Sequence, residues 1–170
     1  RQLIKNLSAM EIKSILKNII CSAAAPTPKV LANEHYVYLI FFIEDNSVHD
    51  AENSPFNKVP VDQITSIRFN KYAKYKFGSP NDEILDGYSY NDIGIEPFCF
   101  QEILDSNWIE NLRELSALEP FHNDATWDEY QHIIIPMKDS CFEVICKDYT
   151  LMSKTCQTMR EEVLRLAELV

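Results

Sequence analysis

The chain has 170 residues, 46% of them hydrophobic and 11% aromatic, with 16 Lys and Arg against 26 Asp and Glu and a formal charge of -10. That much apolar surface supports one domain over residues 1–170 and argues against disorder, while the acid excess argues against a dedicated nucleic-acid binder, whose footprint is a basic face. The longest apolar run, Tyr36 to Ile43, falls far short of the roughly 20 residues of a membrane helix, so no membrane association is expected.

Ser8-Ala9-Met10-Glu11 fits a capping box. It predicts a helix carrying Met10, Ile12, Ile15, Leu16, Ile19 and Ile20 that stops before Pro26 and Pro28. Tyr36 to Ile43 is continuous, β-branched and aromatic, and reads as a central strand covered on both faces. The polar stretch from Glu44 to Pro60 is an expected loop. Ile64 to Phe69 alternates like a half-buried strand that continues through Tyr72 and Tyr75 toward Phe77.

Ser79-Pro80-Asn81-Asp82-Glu83 pairs a cap residue with a proline and first-turn acids, predicting a short helix through Leu85 that ends near Gly87. Phe98 to Leu104 reads as a strand, and Ser106 then caps a helix in which Trp108, Ile109, Leu112 and Leu115 recur at helical spacing until Pro120. Tyr130 to Met137 and Cys141 to Cys146 form a hairpin across Lys138-Asp139-Ser140. A final helix, capped by Ser153, places Cys156, Met159, Val163, Leu166 and Val170 on a narrow apolar stripe. The expected class is α+β, with a mainly antiparallel sheet of about five strands packed by N-terminal, middle and C-terminal helices. Only 3 glycines are present, which disfavours folds built on glycine-rich phosphate loops.

The cysteines Cys21, Cys99, Cys141, Cys146 and Cys156 are odd in number and irregularly spaced, which is no disulfide framework. Cys99 and Cys146 lie in apolar surroundings that suit small core residues. The N-terminal segment also lacks the apolar core of a signal peptide, and a cytoplasmic location is expected.

Several constellations of reactive side chains invite a chemical reading. His132 opens one arm of the hairpin and the other carries Cys141 and Glu143, so the strand register decides whether a metal or Cys-His site can assemble there. The four histidines show no zinc spacing, and no catalytic residue, metal ligand or cofactor is assigned. The acids at Asp82, Glu83 and Asp86 lack the spacing of a calcium loop, and helix capping explains Asp82 and Glu83. Arg68, Lys71, Lys74 and Lys76 interleave with Phe69, Tyr72, Tyr75 and Phe77, a pattern that suits base stacking but equally a strand whose lysines discourage edge pairing.

Three stretches resemble parts of an uncharacterised family of small bacterial proteins: Lys76-Phe77-Gly78-Ser79-Pro80-Asn81-Asp82-Glu83, Ser106-Asn107-Trp108-Ile109, and His132-Ile133-Ile134-Ile135 with Asp139-Ser140-Cys141-Phe142-Glu143. The resemblance spans roughly Tyr75 to Ile145, departs from the family pattern at Tyr88 and Lys138, where the family has histidines, and implies no activity.

The charge distribution carries the functional expectation. Between Lys76 and Lys138, Arg113 is the only Lys or Arg among many acids, so this region repels nucleic acid and attracts a basic surface. The expectation is a non-enzymatic binding protein of immunity or antitoxin type that neutralises a basic partner such as a toxin, with Asp105, Trp108, Glu110, Trp127 and Asp128 as contacts. The alternatives are a homo-oligomeric accessory or regulatory protein, paired through the C-terminal stripe as a homodimer, and a small metal-dependent or Cys/His hydrolase using His132, Cys141 and Glu143.

Overall fold

A computed structural model describes residues 10–44, 63–81, 93–155 and 158–170. The strands in chain order are β1 (Glu11–Ile15), β2 (Lys29–Ala32), β3 (Tyr36–Ile43), β4 (Gln63–Asn70), β5 (Lys74–Gly78), β6 (Phe100–Leu104), β7 (Gln131–Pro136), β8 (Cys141–Cys146) and β9 (Asp148–Thr155). The helices are α1 (Asn107–Ser116) and α2 (Met159–Ala167), with a short 3-10 helix over Asp124–Glu129.

The α+β class holds, but the strands divide into two antiparallel sheets rather than one. Five strands run in the order β1-β6-β7-β8-β5 and four in the order β2-β3-β4-β9. Their facing sides share one core: Val37, Leu39, Phe41, Ile67 and Phe69 from the four-stranded sheet meet Phe100, Ile133, Ile135, Phe142 and Val144 from the other. Phe41 packs on Phe100 and Phe69 on Phe142, ring centroids 5.5 and 5.3 Å apart. β3 is buried on both faces, as its unbroken apolar run requires: its alternate residues Tyr38 and Ile40 lie in a second core beneath α2.

The N-terminal helix is corrected. Glu11–Ile15 is a strand, paired antiparallel with β6 from Glu11↔Leu104 to Ile15↔Phe100. Ile12 joins the apolar cluster of Ile103, Ile134 and Cys141 on the outer side of the larger sheet. Lys13 forms an ion pair with Glu102 at 2.9 Å, and Leu16, at φ 47, ends the segment. The helical spacing of Ile12, Ile15 and Ile19 is real, but pairing with an open sheet edge satisfies the backbone and overrides it. Ser8 and the loop from residue 45 onward lie outside the described residues, as does the acidic stretch from Asp82 to Asp92.

Two further boundaries move. The strand expected to run from Ile64 toward Phe77 breaks at Lys71, whose φ is 48, and the chain passes from one sheet into the other before β5. The C-terminal helix is capped by Thr158, not Ser153, because β9 continues through that position to pair with β4. Thr158 and Glu161 form a reciprocal capping box. Met159, Val163 and Leu166 of the expected stripe pack against the four-stranded sheet, so these three positions are covered by the chain's own strands, while Val170 is exposed. A polar anchor accompanies it: the buried Glu162 accepts a 2.6 Å hydrogen bond from Ser66 Oγ and two from Arg165, at 2.8 and 2.7 Å. Among the described residues no helix is long and apolar enough to cross a membrane.

Candidate functional site

The outer face of the five-stranded sheet brings together residues that are far apart in sequence. β7 and β8 pair with His132 opposite Ile145 and Ile134 opposite Glu143, which sets His132 diagonal to Glu143 on one face. α1 lies over β7, and its cap residue Ser106 sits above His132. The result is a hydrogen-bonded line in which Ser106 Oγ is 2.7 Å from His132 Nδ1 and His132 Nε2 is 3.1 Å from Glu143 Oε2.

The protonation follows from the partners. Ser106 Oγ accepts from the backbone N–H groups of Trp108 and Ile109, at 3.2 and 3.4 Å, so its own proton is directed at His132 Nδ1. His132 is then neutral and donates through Nε2 to the Glu143 carboxylate. Burial pushes the His132 pKa below its ordinary value of 6.5 although Glu143 draws it upward. Lys76 of β5 closes the arrangement from outside, its Nζ 3.7 Å from Glu143 Oε2 and 3.9 Å above the Trp108 ring. Trp108 meets the His132 ring edge-on at 5.2 Å.

Serine, histidine and glutamate in a line suggest nucleophilic catalysis, but a nucleophile must meet its substrate. Ser106, His132 and Glu143 are 4, 0 and 2% exposed, and the serine hydroxyl is committed to capping α1. Cys141 shares the strand face with Glu143, yet burial pushes its thiol up to about 12, which removes the thiolate that a Cys-His site needs. Among the described residues no group of three His, Cys, Asp or Glu is arranged to hold a metal ion. This network ties α1 to the sheet as a clamp. No protein-family model, curated protein or solved structure matches the chain.

The clamp draws Lys76, Ser106, Trp108, His132 and Glu143 from three separate stretches of the chain. The expected contact residues separate accordingly. Trp108 turns inward, and Trp127 is half-buried against Tyr130, ring centroids 5.1 Å apart. Asp105, Glu110 and Asp128 are exposed. Arg113 links α1 to the 3-10 helix by hydrogen bonds from Nε to Asp124 Oδ1 at 2.6 Å and from Nη1 to Asp128 Oδ1 at 3.2 Å, with Glu110 a further 3.8 Å contact.

The sequence reading missed a feature at the end of α1 and just beyond it. Leu115, Leu118 and Phe121 are 63, 83 and 98% exposed. Successive turns, with Leu118 N–H donating to Leu115 O and His122 N–H to Glu119 O, carry the chain away from the helix. The three side chains lie within seven residues of one another, at the end of α1 and in the turns that follow it. The signal was present as the spacing of these residues, but a helical stripe is ordinarily a buried face.

The basic and aromatic segment is not one platform. Arg68 and Lys71 belong to the four-stranded sheet and the turn after it, whereas Lys74 and Lys76 lie on β5, an edge strand of the other sheet. The exposed Lys74 suits the role of discouraging edge pairing.

Proposed function

We propose that the chain is a non-enzymatic binding protein that neutralises a basic partner protein, the part an immunity protein or antitoxin plays toward a toxin. The observation that carries this reading is the exposure of Leu115, Leu118 and Phe121, which we read as one apolar ridge, within a segment, residues 105–129, that holds seven acids and a single arginine. A lone exposed leucine needs no explanation, but a row of three large apolar side chains is a surface that gains by being covered. Covering Phe121 alone is worth about 1.5–3 kcal/mol of hydrophobic free energy. The exposed acids Glu110, Glu119, Asp124 and Asp128 flank the ridge in sequence and supply the field that steers a cationic surface onto it. The expected anchors thus shift from Trp108 and Trp127 to Leu118 and Phe121, with Glu110 and Asp128 kept as the charged rim. The clamp beneath α1 gives the ridge a rigid base, which lowers the entropic cost of docking.

A photo-crosslinking phenylalanine analogue at position 121 in the native host provides the test. Capture of one basic protein, lost at high salt and in a Phe121→Glu variant, is the expected result. Capture no greater than from the same analogue at Lys74 removes the reading.

A further inference from the structure

Three chain segments converge at one end of the four-stranded sheet: the β2–β3 turn, the link from β4 to β5, and the link from β8 to β9. Hydrogen bonds hold them together. Asn33 Oδ1 accepts from the N–H groups of His35 and Tyr36, both at 2.8 Å, and Tyr72 Oη donates to Asn33 O at 2.7 Å. Lys71 N–H donates to His35 O at 2.9 Å and Lys147 N–H to Asn70 O at 3.2 Å. Between them is a cavity of about 390 Å³ lined by His35, Tyr36, Arg68, Asn70, Lys71 and Asp148. Its walls are fixed by backbone contacts, and its size falls in the range of small-molecule sites.

The lining has a definite polarity. Arg68 and Lys71 are the fixed cations and Asp148 the one carboxylate, so the corner carries a net positive charge in a chain of formal charge -10. Two polar atoms, Arg68 Nε and Asn70 Oδ1, are closed off from solvent and have no hydrogen-bond partner among the described residues. Tyr36 covers one face of the Arg68 guanidinium, with its carbon 5.0 Å from the ring centroid. The Asn70 amide nitrogen is directed at Asp148 Oδ1 and Thr150 Oγ1, which leaves the amide oxygen as an acceptor beside a carboxylate. A buried donor and a buried acceptor without partners are each costly, and a ligand that draws the two side chains toward the cavity and supplies both complements relieves the two costs together.

We propose that this corner cavity binds a free acidic α-amino acid. The α-carboxylate meets the Arg68 edge, the ammonium group meets Asn70 Oδ1 and Asp148, and the side-chain carboxylate lies toward Lys71 and His35. A net charge of one minus on such a ligand matches the one excess positive charge of the lining. Inorganic phosphate satisfies Arg68 but offers little to Asn70 Oδ1 and is repelled by Asp148, so it is the discriminating control. The site is independent of the apolar ridge.

Titration of the full chain with L-glutamate, followed by amide NMR and calorimetry, tests the assignment. The expected result is saturable binding that shifts the amides of residues 33–36, 70–72 and 147–149, with at least about tenfold weaker binding in Arg68→Gln, the loss of a charge-assisted fork. Lys71→Asn, a residue that tolerates the left-handed backbone at φ 48, is the second variant and is expected to weaken L-glutamate severalfold without changing the urea midpoint. Absence of saturable shifts up to about 10 mM, a level well above useful small-ligand affinity, overturns the proposal. So does phosphate binding as tightly as L-glutamate, or an unchanged affinity in folded Lys71→Asn.

Discussion

The hydroxyl of Ser106 serves two elements at once: it caps α1 by accepting from Trp108 and Ile109, and 2.7 Å away it meets His132 Nδ1 on the sheet below. Secondary structure and tertiary packing therefore depend on one oxygen atom.

Replacing Ser106 by alanine removes a helix cap and leaves a buried ring nitrogen without its donor, two losses of about 1 kcal/mol or more each. The expected destabilisation of roughly 2 kcal/mol or more is read from urea unfolding. In a double-mutant cycle with His132→Phe the two effects are expected to be strongly non-additive, since one interaction is shared. Simple additivity would show that the two residues do not act on each other.

His132 also sets a pH dependence. Its folded-state pKa is depressed below 6.5 by burial, so between that value and 6.5 the unfolded chain binds more protons than the folded one. The contribution is fully present above about pH 6.5 and is lost as pH falls toward the folded pKa. Urea unfolding from about pH 7.5 down to about pH 5 is expected to show this decline, and a His132→Phe variant a shallower one. A stability that rises on acidification through this window would contradict a neutral buried imidazole.

The docking of α2 rests on Leu166, which is wholly buried against the four-stranded sheet. Leu166→Ala is expected to cost about 2–4 kcal/mol by loss of contact and creation of a cavity. Calorimetric unfolding measures it, and an unchanged midpoint would mean that the C-terminal stripe is not packed on the sheet.

Thiol chemistry distinguishes the cysteines of the described residues. Cys21, Cys141 and Cys146 are buried, whereas Cys99 is partly exposed. Burial pushes the Cys141 and Cys146 thiols up to about 12 and raises Cys21 as well, so none of the three offers a reactive thiolate. Peptide mapping after brief alkylation of the native chain is expected to find Cys99 modified well before these three. The sequence context Phe98-Cys99-Phe100 had suggested a core residue, but Phe98 takes φ 64 and turns the chain there, so only Phe100 enters the core fully.

The parts legible in the sequence are those whose signal is local. Tyr36 to Ile43 is a strand because an unbroken β-branched and aromatic run of that length has few alternatives, and β7 and β8 are joined by the short polar connection between them. Ser106 capping α1 is likewise written within four residues. At Glu11–Ile15 the same local reasoning points the other way, since a capping motif and helical spacing favour a helix until β6, some 90 residues distant, provides an edge to pair with. The Ser153 cap gives way for the same reason, to the strand pairing of β9.

By itself the amino-acid sequence determined an acidic α+β chain with a particular central strand, hairpin and capped middle helix, because composition, short-range periodicity and capping act over a few residues. Only the tertiary structure decided that the strands separate into two sheets at Lys71, and that Ser106, His132 and Glu143 converge while Trp108 turns inward to cover them. It also decided that Phe121 is left in water and that Arg68 and Asn70 face a common cavity. Those outcomes depend on strand register and sheet order, which are set by contacts between residues far apart in the chain, and a shift of one residue would send each side chain to the opposite face.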